Sequence, residues 1–254
     1  MSRAARTFED KVAVVTGGGS GIGFAIARAF ARAGARIAIA GRRKDMLAHA
    51  AARIGEDSEV LALSADVADP DDCERVVAAT VARFGGLDIL VNNAAHFALV
   101  PLLEADSVET ARFLRANVEG PLLCSRAFAK WAFAQGRGGA IVHVSSISGS
   151  RPAPGCGLYS ASKAALESLT RSMALEWAGK GLRVNAVAPG HVRTEGVIED
   201  FRAGRLDEKA MLHSIPAGRI ADVDDIADAV LFLAGERARH IAGHVLTVDG
   251  GEGL

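Results

Sequence analysis

The chain has 254 residues, half of them hydrophobic, and its 29 Lys+Arg nearly balance 30 Asp+Glu for a formal net charge of -1. An α/β unit of this length holds ample material for one large core. The balance leaves no basic surplus for nucleic acid or an anionic membrane, and no apolar stretch approaches the ~20 residues of a bilayer span.

The first apolar run, residues 12–16, reads as a buried strand. It leads into Thr16-Gly17-Gly18-Gly19-Ser20-Gly21-Ile22-Gly23 and a helical pattern over 22–33. Glycines let a phosphate approach the backbone closely, and the following helix N-terminus offers unpaired N–H groups and a positive dipole end. The spacing is Gly-x3-Gly-x-Gly, and its strand-loop-helix setting favours a dinucleotide-phosphate loop over a flexible turn.

The second run, 36–40, ends in Gly41-Arg42-Arg43. Many NAD sites carry an acid here for the ribose hydroxyls. This chain offers two guanidinium groups, which suit a 2′-phosphate, so NADP(H) is favoured over NAD(H); a solvated arginine pair is the alternative. After a helical pattern at 45–54, the third run, 60–64, precedes Asp66-Val67, placed to receive an adenine edge. A helical pattern at 71–84 and a fourth run at 89–91 follow. Then comes Asn92-Asn93-Ala94-Ala95, whose small residues let a dinucleotide lie against the chain.

Asn117 falls in a helix after the fourth strand, where an amide is slightly unfavourable and a specific use is attractive. The fifth run, 141–145, precedes Ser146, whose hydroxyl is placed to hold a substrate oxygen. Tyr159 and Lys163 stand four residues apart and so share a helix face. An ammonium beside a phenol stabilises phenolate and lowers a pKa that is ordinarily ~10. This makes Tyr159, the chain's single tyrosine, a plausible acid or base. Helical spacing continues over 161–178. The sixth run, 183–188, leads into Pro189-Gly190-His191-Val192-Arg193-Thr194, and a last run occupies 245–248.

The first six runs fit buried strands of a parallel sheet. Their alternation with helices argues one doubly wound Rossmann-type α/β domain over 1–254, with a mostly parallel sheet flanked by helices on both faces. Ligands bind such folds at the strands' carboxyl ends. Residues 191–216 are expected to form a flap over the substrate; their mixed charges select no ligand. His96, Phe97, Ser148, Arg151, Pro154 and Cys156 are further candidates for the pocket lining.

Residues 1–11 lack the apolar core of a secretory signal, so a cytoplasmic location is expected. Cys73, Cys124 and Cys156 show neither a disulfide framework nor a zinc pattern. His240 and His244 are four apart, but Gly243 interrupts the helix that would align them, and no metal is expected.

From residue 11 to 251 the chain resembles the short-chain dehydrogenase/reductase family. The resemblance is carried by the glycine loop, Asp66-Val67, Asn92-Asn93-Ala94, Asn117, Ser146, Tyr159/Lys163, Pro189-Gly190 with Thr194, and Val248-Asp249-Gly250-Gly251. It implies hydride transfer between a nicotinamide cofactor and a ketone or secondary alcohol, with Asn117, Ser146, Tyr159 and Lys163 catalytic. Tyr159 would exchange the proton of the substrate oxygen, and Ser146 would hydrogen-bond that oxygen. Lys163 would lower the tyrosine pKa and hold the nicotinamide ribose. Asn117 would support a proton-relaying water, and 189–194, with Val192 and Thr194, would pack at the nicotinamide end. It implies a homotetramer or dimer. Two departures stand out: Ala95 replaces the family's usual glycine, and Ser20 occupies a position where many NADP-dependent members carry a basic residue. The competing readings are a non-catalytic dinucleotide-binding redox sensor and an epimerase or dehydratase on a related fold.

Overall fold

The central apolar runs become strands because each is covered on both sides. In the computed structural model, which describes residues 7–254, β1 (Val12–Thr16), β2 (Arg36–Gly41), β3 (Val60–Ser64), β4 (Ile89–Asn92), β5 (Gly139–Val144) and β6 (Leu182–Pro189) alternate with helices. The helices are α1 (Gly21–Arg32), α2 (Lys44–Ile54), α3 (Pro70–Phe84), α4 (Ser107–Leu114), α5 (Gly120–Ala134) and α6 (Gly157–Trp177). Residues 1–6 of the expected single domain lie outside the described part.

Beyond β6 come β7 (Val192–Arg193), α7 (Glu195–Arg202), α8 (Glu208–His213), β8 (Ala221–Asp222), α9 (Val223–Ala234) and β9 (Val245–Val248). The main sheet has seven strands in the order β3-β2-β1-β4-β5-β6-β9. All six pairings are parallel. β3 and β9 form the edges and are only partly buried, so β3 is less enclosed than its apolar run predicts. A separate two-stranded ribbon joins β7 to β8.

Successive strand residues point to opposite faces. Ala13, Val15, Ile37 and Ile39 meet α1, α2 and α9 in one apolar layer. Val12, Val14, Ala38 and Ala40 meet α3, α5 and α6 in the other. Local signals set the helix ends. Asp69 caps α3 through the N–H groups of Asp71 and Asp72, Pro70 occupies its first position, and Gly85 at φ 80° ends it. Asp222 and Asp225 form a capping box at α9.

Two features position the site. The strand order reverses between β1 and β4, opening a crevice at their carboxyl ends. The helix formed by α4 and α5 also widens to a π turn at Arg115–Glu119, which contains Asn117. Pro121 explains the widening: it has no N–H for the Asn117 carbonyl four residues back, and its ring crowds that oxygen. Among the described residues, no helix is long and apolar enough to cross a membrane.

Candidate active site

The two chain ends that diverge at the crevice are tied by Thr16. Its Oγ1 accepts from the backbone N–H of Asn93 at 3.0 Å and of Ala94 at 3.1 Å. The Asn93 amide answers by donating to the Thr16 carbonyl at 3.0 Å. The glycine loop then passes over this clamp with no room for a side chain at Gly17, Gly18 or Gly23. A Cβ on Gly23 would lie 2.3 Å from the Gly17 carbonyl oxygen and 2.4 Å from Asn93 Nδ2. Gly17 stands at φ +66°, a left-handed conformation natural to glycine. At the α1 N-terminus, Ser20 makes no side-chain cap, so the first-turn N–H groups face the crevice without one, as an anion site requires.

The crevice is a cleft of about 710 Å3. Of the residues expected to contact the cofactor, Gly17, Ser20, Ile22, Gly23, Arg42, Arg43, Asp66, Val67, Asn93, Ala94 and Thr194 line it. Gly21, Tyr159, Lys163, Pro189, Gly190 and Val192 are not among its lining residues; Pro189, Lys163 and Val192 are buried. The lining also includes Met46, Ala65, Arg112 and Ala116, which sequence reasoning missed. They lie on or beside helices and a strand, and only the tertiary arrangement turns them inward.

The cradle fits a dinucleotide. Its loop lacks side chains at Gly17, Gly18, Gly19, Gly21 and Gly23, and Gly41, Arg42 and Arg43 line the cleft at the end of β2 with no carboxylate at that point. The two arginines differ. Arg43 donates to Ser20 Oγ at 3.1 Å and so braces the glycine loop, whereas Arg42 has no hydrogen-bond or ion-pair partner among the described residues. Asp66 accepts from the N–H of Ala68 at 3.0 Å, which fixes the turn after β3. Thr194 caps α7 by accepting from Val197, and its methyl would lie 3.6 Å from a Cβ on Gly21. The start of the expected flap therefore faces the glycine loop.

Beside the cleft, Asn117, Ser146, Tyr159 and Lys163 belong to one connected group. Asn117 Oδ1 accepts from the His96 N–H at 2.7 Å; its Nδ2 donates to the His96 carbonyl and to Ser162 Oγ, both at 2.9 Å. Ser162 Oγ donates to the Tyr159 carbonyl at 2.7 Å. Ser146 Oγ accepts from the Ser148 N–H at 3.1 Å and lies near enough to the Tyr159 phenol to lower its pKa. Lys163 Nζ donates to the Val144 carbonyl at 2.8 Å and stands 5.5 Å from the centre of the Tyr159 ring. The next residue of the chain, Ser145, donates to Glu167 at 2.9 Å. The end of β5 thus grips α6 at two successive turns.

Burial sets the protonation of this group. It pushes the Tyr159 phenol up to about 12, against the pull of the nearby Ser146 hydroxyl. It pushes the Lys163 ammonium down to about 8, partly offset by Glu167. The expected depression of the phenol by Lys163 gives way here to a rise: desolvation of the phenolate dominates, Ser146 is what lowers it, and the ammonium donates to the Val144 carbonyl. Cys156 sits at the N-terminus of α6, and burial raises its thiol.

The family model described as Enoyl-(Acyl carrier protein) reductase matches residues 17–252. The galactitol 2-dehydrogenase (L-tagatose-forming) of Cereibacter sphaeroides is 41% identical, over 94% of this chain and 93% of that protein. The sorbitol dehydrogenase of the same organism is 39% identical, over 96% and 97%. A solved structure from Agrobacterium tumefaciens, described as a candidate 2-deoxy-D-gluconate 3-dehydrogenase with bound NADP, superposes with a TM-score of 0.88 at 35% identity, covering 98% of each chain. The chain belongs to the short-chain dehydrogenase/reductase family. It is an oxidoreductase that works with a nicotinamide cofactor on alcohol and ketone groups.

Proposed function

We propose that the protein interconverts a ketone and its secondary alcohol with NADP(H) preferred over NAD(H), and that Tyr159 exchanges the proton at the substrate oxygen. The observation that carries this reading is the half-buried Tyr159 phenol, with Ser146 near it and the Lys163 ammonium 5.5 Å from its ring centre, beside a cleft in which Arg42 has no hydrogen-bond or ion-pair partner among the described residues. When bound, the nicotinamide supplies or accepts the hydride.

The protein's own residues do the rest. A phenol held at about 12 keeps its proton at neutral pH and is a donor in the reducing direction. Ser146 orients the substrate oxygen. The Lys163 charge, fixed by Val144, stabilises the phenolate left after donation. Asn117 holds the His96 backbone and, through Ser162, the first turn of α6. Gly17, Gly23 and the α1 N-terminus would hold the pyrophosphate, Arg42 the 2′-phosphate, and Asp66 and Val67 the adenine. Residues 191–216, with α7 and α8, act as the flap.

The NADP in the Agrobacterium tumefaciens structure agrees with the Arg42 reading. The relatives named for galactitol and sorbitol support a secondary-alcohol substrate. Association into a homotetramer or dimer agrees with Val108, Leu114 and Leu175, left exposed on α4 and α6; light scattering after gel filtration tests it.

The decisive variant is Tyr159→Phe, which removes one hydroxyl. Loss of a general acid costs about 10²–10⁴-fold in turnover, and NADPH affinity should persist. Unchanged ketone reduction by Tyr159→Phe would remove Tyr159 from the mechanism.

A further inference from the structure

Large apolar side chains left exposed are not spread evenly over this molecule. Among the described residues, four of the nine fall between 97 and 103: Phe97, Leu99, Leu102 and Leu103. A contiguous exposed apolar patch marks a binding surface, and this one adjoins the reacting group. The Phe97 ring, 60% exposed, stands edge-on to Tyr159 with centres 5.0 Å apart. Leu102 lies where a Cβ on Gly157 would come within 2.6 Å, and Leu99 lies 3.8 Å from one on Gly155. The Val100 N–H donates to the Gly155 carbonyl at 2.8 Å. The patch is thereby pinned to the chain that leads into Tyr159.

Several charged side chains near the site are already engaged by partners of their own. His96 pairs with Glu109 at 2.8 Å, and Glu109 with Arg112 at 2.8 Å. Arg151 donates to the carbonyls of Glu252 at 2.6 Å and Leu254 at 2.9 Å. His191 pairs with Glu252 at 2.5 Å. Phe97, Leu99 and Leu102 offer a substrate hydroxyl no hydrogen-bond partner, and a hydroxyl covered without one is costly. An alkyl or aryl group gains by covering it.

We infer that the substrate carries an apolar alkyl or aryl arm next to its carbonyl, and that Phe97, Leu99 and Leu102 form the wall that receives it. The inference rests on the ketone–alcohol reading of Tyr159.

The test follows NADPH oxidation with acetone, 2-octanone, acetophenone and D-fructose. The expected kcat/KM for 2-octanone and acetophenone exceeds that for D-fructose by about tenfold or more, and Phe97→Ser lowers the acetophenone-to-acetone ratio by about tenfold. Leu102→Ser, which alters the wall beside Gly157, should lower the 2-octanone-to-acetone ratio as well. Preference for D-fructose, or ratios unmoved in both variants, overturns the apolar arm while leaving ketone reduction intact. NADPH binding without oxidation by any of the four compounds overturns the ketone reading and this inference together.

Discussion

Asn117 and His96 exchange two hydrogen bonds of opposite direction. The His96 N–H donates to Asn117 Oδ1 at 2.7 Å, and Asn117 Nδ2 donates to the His96 carbonyl at 2.9 Å. The amide thus mimics a strand neighbour for the loop that leaves β4. Asn117→Ala strips partners from the N–H and carbonyl of His96 and from Ser162. Groups of this kind cost about 1–3 kcal/mol each when left unpaired. Partial access to water reduces the sum to about 2–4 kcal/mol, or roughly 5–15 °C in Tm for a domain of this size. Differential scanning calorimetry reads the loss. Asn117→Asp, which can accept from His96 but not donate, should fall between the wild type and Ala.

Cofactor preference should follow Arg42 and not Arg43. Arg42 lines the cleft without a partner among the described residues, whereas Arg43 donates to Ser20 in the glycine loop. Arg42→Ala should weaken NADPH binding by about 1.5–3 kcal/mol, roughly ten- to a hundred-fold, and leave NADH nearly unaffected. Arg43→Ala should weaken both alike, because the loop it braces serves both. Calorimetric titration with each cofactor separates the cases; equal losses for Arg42→Ala would remove the 2′-phosphate argument.

The strands were legible because a parallel sheet buried on both faces writes near-continuous apolar runs. The run at 12–16 coincides with β1, and 141–145 lies within two residues of β5 at each end. Motifs at strand ends pointed to the candidate site for the same reason: the chain just past β1, β2, β3 and β4 lines one crevice. Three things were hidden. The helix α6 starts at Gly157, four residues before its apolar pattern, because the turn holding Tyr159 serves the site rather than the core. The π turn at Asn117 depends on Pro121, a clash four residues away rather than a periodicity. The phenol's direction of shift depends on how deeply Tyr159 is buried, and spacing to Lys163 does not carry that.

The glycine loop makes a paired prediction. A Cβ at Gly23 would come within 2.4 Å of both the Gly17 carbonyl and Asn93 Nδ2, while at Gly196 it would meet nothing within 4 Å. Gly23→Ala must push the loop off the Asn93 clamp and should lower both Tm and NADPH affinity. Gly196→Ala lies in α7, where trading glycine for alanine reduces unfolded-state entropy and stabilises by about 0.4–1 kcal/mol. A Gly23→Ala protein that binds NADPH like the wild type would show that the loop has slack this structure does not contain.

His143 should govern part of the acid sensitivity. It is fully buried on β5, and neither ring nitrogen has a hydrogen-bond partner. Burial first, and the nearby Lys163 charge second, push its pKa from 6.5 down to about 3. The unfolded chain therefore binds a proton below pH 6.5 that the folded chain refuses until about pH 3. Between those limits the unfolded state holds more protons, so stability falls as pH falls, with a slope approaching about 1.4 kcal/mol per pH unit from this group. His143→Leu keeps a similar volume, removes the unpaired ring nitrogens and cannot titrate. Urea unfolding from pH 8 to 4 should give wild-type and His143→Leu curves that run parallel above pH 6.5 and diverge below it, the wild type losing more. Parallel decline through the whole range would assign the acid sensitivity to other groups.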